Sequence, residues 1–85
     1  MNYIIQFSDE AERALRKMKI KDPVRFSQVV KKLDEIIDDP THYKPLRHKL
    51  SGQYRVHVGS KVLKFSIEGN IVRIIDIVHH DLAYR

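Results

Sequence analysis

Apolar residues recur along the first half of the chain with the spacing of helices and along the second half with the spacing of strands. Tyr3 to Phe7 is a short apolar run that predicts a strand. Ala11, Ala14, Leu15 and Met18 then follow the i, i+3, i+4, i+7 spacing of one buried helical stripe. Ser8 stands where an N-cap belongs, Asp9, Glu10 and Glu12 fill the first turn, and Arg16, Lys17 and Lys19 close the last, a charge order that suits the helix dipole. This helix is predicted from Asp9 to Lys19. Asp22-Pro23 supplies a second N-cap with proline at the first helical position, and Phe26, Val29, Val30, Leu33, Ile36 and Ile37 give a longer apolar face that ends near Asp39-Pro40. So short a connection folds the two helices back as an antiparallel hairpin whose apolar stripes need a sheet to cover. Asp34, Glu35, Asp38 and Asp39 gather at the end of the second helix that its dipole disfavours, where they are available as neighbours for a basic loop.

Pro40 to Gly52 holds two prolines and a glycine and reads as an irregular connector with Leu46 and Leu50 as anchors. Three strand signals follow, Tyr54 to Val58, Lys61 to Ile67 and Ile71 to Val78, separated by Gly59-Ser60 and Gly69-Asn70, both suited to two-residue hairpin turns. The expectation is one α+β domain over residues 1–85 in the order β-α-α-β-β-β, an N-terminal strand and a two-helix hairpin packed on a mainly antiparallel sheet.

A two-residue turn at Gly59-Ser60 sets a register in which Val58 opposes Lys61, His57 opposes Val62, Val56 opposes Leu63 and Arg55 opposes Lys64. Alternation then separates the sides of the sheet. Tyr54, Val56, Val58, Leu63, Phe65 and Ile67 face the helices, while Arg55, His57, Val62, Lys64 and Ser66 face away. Continuing through Gly69-Asn70 sets Arg73 opposite Ser66 on the polar side, leaves Val72, Ile74 and Val78 for the core, and points Asp76 coreward with Lys61 as its partner. Like charges directly across a ladder destabilise it by some tenths of a kcal/mol. Either Arg55 and Lys64 splay into water, where screening hides the repulsion, or a bound phosphate bridges them.

Charge sharpens the second alternative. Pro40 to Ile67 carries six Lys and Arg and no Asp or Glu in 28 residues, whereas the other 57 residues hold ten basic and eleven acidic side chains. Such a concentrated basic segment is either a solvated face that keeps a small protein soluble or a surface for a polyanion. Arg55, Lys64 and Arg73 beside His57, with no acidic residue among them, suit a phosphodiester backbone. Arg47, Lys49, Lys61, His79 and Arg85 are further candidate contacts to nucleic acid. The tail His79-His80-Asp81-Leu82-Ala83-Tyr84-Arg85 brings two imidazoles, a phenol and a guanidinium together. Its histidines are either surface residues at a frayed end or part of the basic site, and Tyr84 either packs on the sheet edge or stacks on a base. With no cysteine and no third ligand at suitable spacing, a structural zinc site is disfavoured, and no metal or cofactor is expected. Nor does the chain contain a run of apolar residues long enough for a signal or a membrane span, so the expected location is the cytoplasm.

The element order, the Leu50-Ser51-Gly52 step before Tyr54-Arg55-Val56, the Val58-Gly59 turn and the terminal His79-His80 leading to Tyr84-Arg85 together resemble toxins of the RelE/ParE superfamily, RelE above all. The resemblance spans essentially the whole chain. It implies a RelE-like fold and a type II toxin that enters the ribosomal A site and cuts mRNA by 2′-hydroxyl attack, silenced in a hetero-oligomer by a RelB-like antitoxin. Partners would be antitoxin, mRNA and ribosomal RNA, with no membrane. Arg55 and His57 fall where the family has its two basic strand residues, and Tyr84 matches the terminal tyrosine that stacks in the site. His80 lies where relatives often have arginine. Val62 departs from the pattern, because relatives usually place there an arginine that stabilises the transferred phosphate, and Lys64 is the best substitute. The expected catalytic set is therefore Arg55, His57, Lys64, His80 and Tyr84. A ParE-like inhibitor of DNA gyrase and a catalytically weak RNA-binding or ribosome-binding member share the fold and remain alternatives. A basic toxin calls for an acidic or amphipathic inhibitor, expected along the apolar edge of the second helix or the sheet.

Overall fold

A computed structural model of the protein describes residues 3–43 and 52–80. Strand β1 (Ile4–Phe7) leads into helices α1 (Asp9–Lys21) and α2 (Pro23–Asp38), a 3-10 turn (Pro40–His42), and strands β2 (Gln53–Val58), β3 (Lys61–Glu68) and β4 (Ile71–His79). The four strands form one sheet in the order β1-β4-β3-β2. The meander β2-β3-β4 is antiparallel, as its two short turns require, while β1 runs parallel to β4, closed off by two helices that carry the chain away from the sheet edge. This is the expected α+β architecture, with the helical hairpin covering one face.

Local chemistry accounts for the helix ends. The Ser8 hydroxyl accepts the Ala11 N–H at 3.0 Å. Asp22 is at once the end of α1, its N–H donating to the Met18 carbonyl, and the N-cap of α2, its carboxylate accepting the Arg25 N–H at 3.1 Å. A single residue thus joins the helices, and α1 extends two residues beyond the predicted Lys19 to reach it. Late in α2, Lys32 Nζ lies 2.9 Å from the Glu35 carboxylate, which holds the Glu35 carboxyl below its usual range.

Ala11 and Met18 from α1, Val29, Leu33 and Ile36 from α2, and Val56, Val58, Leu63, Phe65, Val72, Ile74 and Ile77 from the sheet make the apolar core. Phe65 is its centre, with no exposed surface, Tyr54 stacked on it at 4.9 Å and Tyr43 edge-on at 5.9 Å. Val30, expected on the buried stripe of α2, is 39% exposed. At the β2-β3 turn Gly59 adopts φ +59°, and a Cβ there would come within 1.7 Å of the Arg25 guanidinium of α2. The backbone angle requires glycine at this position, whereas the group packed against it is the far end of a flexible side chain.

The expected register holds along all of β2 and β3 and through Ser66 opposite Arg73. It breaks at one point. Lys64 pairs with Asp76 but Phe65 pairs with Ile74, so Ile75 is an extra residue, a β-bulge in β4. The bulged backbone is held by Ser8, whose hydroxyl donates to the Ile75 carbonyl and whose N–H donates to the Ile74 carbonyl at 3.0 Å. Beyond the bulge every side chain of β4 changes face. Ile77, not Val78, enters the core, and Asp76 points away from the helices instead of toward them.

Candidate nucleic-acid interface

The face of the sheet turned away from the helices is assembled in rows across three strands. Arg55, Lys64 and Asp76 form one row, His57, Val62 and Val78 the next toward the β2-β3 turn, and Gln53, Ser66 and Arg73 the row on the other side. Paired residues share a face, so Arg55, Lys64 and Arg73 lie on one side of the sheet, Arg73 in the row next to that of Arg55 and Lys64. Arg55 and Lys64 are half-buried and Arg73 is exposed. At the end of the sheet the imidazoles of His57 and His80 meet with centroids 5.4 Å apart and planes tilted by 39°. His80 is held there by its N–H, which donates to the Ser60 carbonyl in the β2-β3 turn at 2.7 Å. Two predicted site histidines, 23 positions apart in the chain, are thus neighbours at the edge of the basic rows.

Asp76 alters the electrostatics of this face. It stands across from Lys64, which in turn stands across from Arg55, so the like-charge pair has a carboxylate beside it. The expectation of a basic face without acidic residues is therefore corrected. The Asp76 carboxylate is oriented by the Ile77 N–H, which donates to Oδ1 at 2.8 Å. Its proposed partnership with Lys61 is excluded by the bulge, because the two side chains lie on opposite faces. The row still carries net positive charge, and Arg73 adds to it.

Val62 occupies this face yet has no exposed surface and lies outside the core on the helix side. It sits between His57 and Val78 in the register, an aliphatic patch set in a polar face. The other correction concerns Lys61 and His79, expected among the nucleic-acid contacts. They pair with each other, and Lys61 with Val58, on the helix side of the sheet, where they line a separate cleft with α1. Arg47, Lys49, Tyr84 and Arg85 lie outside the described residues. Asp76 is the residue at this face that sequence reasoning missed. The signal was present as a change of phase, since the core positions Val72, Ile74 and Ile77 are spaced by two and then by three.

Residues 5–84 match the family described as the ParE toxin of the type II toxin-antitoxin system parDE. The chain belongs to the RelE/ParE toxin superfamily. A Methanocaldococcus jannaschii protein classed as a toxin under the name RelE4 is 36% identical, the match covering 98% of this chain and 92% of that protein. Among solved structures, the toxin-antitoxin complex RelBE2 of Mycobacterium tuberculosis superposes with a TM-score of 0.78 at 26% identity, covering 93% of this chain and 99% of that one. A double mutant of Escherichia coli RelE in the free state shares the fold, with a TM-score of 0.80 at 19% identity over 99% of this chain and 90% of that one. The RelE-like fold expected from the residues is thus the fold observed. Among the described residues no helix is long and apolar enough to cross a membrane.

Proposed function

We propose that this toxin is a ribosome-dependent endoribonuclease that holds the ribose-phosphate backbone of mRNA on the open face of its sheet and cuts it in the A site. The observation that carries this reading is the gathering of Arg55, Lys64 and Arg73 on one face with the His57-His80 pair at its margin. In the reaction the 2′-hydroxyl attacks the adjacent phosphorus in line, and the bond to the 5′-oxygen breaks, leaving a 2′,3′-cyclic phosphate and a 5′-hydroxyl. Arg55 and Lys64 meet the negative charge that builds on the phosphoryl oxygens, Arg55 as a bidentate donor and Lys64 as a point charge. One imidazole of the pair takes the 2′ proton and the other supplies the proton to the leaving oxygen, since a ring nitrogen can either accept or donate a proton. Tyr84 is assigned to stacking on the base next to the cut. Positioning of the substrate by the ribosome complements these groups, since orientation supplies several kcal/mol. A RelB-like antitoxin is the proposed silencing partner, in keeping with the RelBE2 complex that this chain resembles.

Buried Val62, where the resemblance leads one to expect arginine, and the match to the ParE family favour a second reading as a gyrase inhibitor that needs no nuclease residues. Producing the chain without its antitoxin and following translation and DNA supercoiling separately decides between them. The nuclease reading expects arrested translation with messages cut inside codons, and loss of cutting in Arg55→Ala and in His57→Ala. Impaired supercoiling that survives both substitutions would establish the second reading, and stalled ribosomes on intact messages would overturn both.

A further inference from the structure

The imidazoles of His57 and His80 are set apart by the distance that a shared metal ion requires. A tetrahedral ion held at about 2.1 Å by one nitrogen of each ring places the ring centres roughly 5 Å apart. The two centres lie at 5.4 Å, and the planes are tilted rather than parallel. The backbone on both sides of the pair is fixed. His57 stands in β2 opposite Val62, whose side chain has no exposed surface, and His80 is anchored through its N–H to the Ser60 carbonyl at 2.7 Å. Chelation therefore asks little further ordering of the chain. Both histidines are exposed, so an ion reaches them from solvent. Val62 and Val78, in the same row as His57, give the pair an apolar flank of the kind that limits competition from water. His79, next to His80 in sequence, is turned to the helix side of the sheet with Lys61 and takes no part.

We propose that His57 and His80 chelate one divalent transition ion of the zinc type, reversibly, and that the ion stops cutting by occupying ring nitrogens that would otherwise move protons. The inhibition rests on the nuclease reading, whereas the metal site does not. The donors select the ion. Imidazole suits zinc, copper and nickel, while magnesium and calcium take oxygen ligands. Arg55 and Lys64 in the adjoining row repel any cation, which disfavours an ion held by charge alone and leaves one held by coordination to nitrogen. Asp76 offsets part of that repulsion. A structural zinc has four protein ligands, but among the described residues no three of His, Cys, Asp and Glu are placed to hold one ion. The ion at this pair is therefore held by two rings with solvent completing its shell, and it exchanges with the medium instead of supporting the fold. Spacing along the chain conceals such a site, because the two histidines come from opposite ends of the meander and meet only at the β2-β3 turn.

The test is a titration of the full chain with zinc chloride, followed by calorimetry and by the imidazole signals in NMR, with magnesium chloride as the comparison. The expected result is one zinc ion per chain, shifts in the ring signals of His57 and His80, and no response to magnesium. Affinity should fall about tenfold or more in His57→Ala and in His80→Ala, at least the loss seen when a group that merely orients a metal ligand is removed. Circular dichroism melts check that these variants remain folded, and His79→Gln keeps the parent affinity. Message cutting on ribosomes is then followed as free zinc is raised in a chelator buffer, and it should fall over the range in which calorimetry fills the site and return when zinc is withdrawn. The metal site is overturned if no zinc binds, whether or not messages are cut, or if binding survives both alanine substitutions. It is equally overturned if His79→Gln weakens binding as much as His80→Ala, which would put the ion on the adjacent histidines. Cutting that continues unchanged with the site filled overturns the inhibition. A chain that binds zinc through His57 and His80 yet cuts no message would uphold the metal site and count against the nuclease reading.

Discussion

The two faces of this sheet are made by alternate residues of the same three strands, yet one is a closed apolar interior and the other a basic surface. On the helix side, Val56, Leu63, Phe65, Val72, Ile74 and Ile77 are buried against α1 and α2. On the open side, Arg55, Lys64, Arg73, His57 and Ser66 occupy the intervening positions, with Val62 as a single fully buried member. Apolar burial is therefore concentrated on one face and basic charge on the other. The contrast also fixes which substitutions should unfold the protein and which should only disarm it.

The largest effect is expected at the centre of the closed face. Phe65→Ala removes a ring that contacts Tyr43 and Tyr54 and has no exposed surface, a change that costs about 3–5 kcal/mol in comparable cores. Small domains have about 5–15 kcal/mol in total, so denaturant unfolding should find this variant at the edge of stability. A midpoint close to the parent's would show that the closed face is not where the fold is held.

Next comes Val62, which tests whether the open face is purely functional. Because Val62 is buried there, Val62→Ala should cost about 1–2 kcal/mol by loss of apolar burial, although its neighbours across the ladder are His57 and Val78 rather than core residues. Val62→Arg introduces the residue that the resemblance anticipates, and its unfolding midpoint should fall while its affinity for oligouridylate rises. Unchanged stability in Val62→Ala would mean that this patch does not contribute to folding and would sharpen the division between the faces.

Most of the fold could be read from the residues because the physical signals were local and consistent. The caps Ser8 and Asp22, the helical stripes and the glycines at positions 59 and 69 each dictate one conformation, and the β2-β3 register follows from one turn. What could not be read depended on distant contacts. The bulge at Ile75 is satisfied by Ser8, 67 positions away, and regular alternation without it puts Asp76 on the wrong face. The same long-range dependence explains the candidate site. Arg55, Lys64 and Arg73 were legible through the hairpin register, but Lys61 and His79 look the same in a count of basic residues and belong to another surface. Only the pairing of Val58, Lys61 and His79 at the sheet end separates them.

Gly59 joins the two layers at the turn and comes third in magnitude. Gly59→Ala pays for a left-handed backbone angle, about 1–2 kcal/mol, and also displaces the Arg25 guanidinium, which is the mobile end of a long side chain and can move aside. Arg25→Ala should therefore recover only a small part of the loss in the double variant, with thermal melts giving the comparison. Full recovery would assign the cost to the collision instead of the backbone. Ser8→Ala is expected to cost about 1 kcal/mol as a lost N-cap. It should also speed amide exchange at Ile77 and Asp76, because the same hydroxyl holds the bulge. An effect confined to the start of α1 would detach Ser8 from the placement of Asp76.

The smallest effect on stability, and the one that most directly separates the faces, belongs to Arg73. Its side chain is exposed on the open face, opposite Ser66 and away from the core, so Arg73→Ala should change unfolding free energy by less than about 0.5 kcal/mol. If it contacts one phosphate, its loss should lower the slope of log affinity against log salt by about 0.7, the contribution of one contact to a single strand. A measured slope unchanged from the parent would place the bound strand nearer His57 and His80, toward the β2-β3 turn. A fall in stability as large as that of Val62→Ala would instead mean that the open face shares in holding the fold, and that its cations are not arranged for a ligand alone.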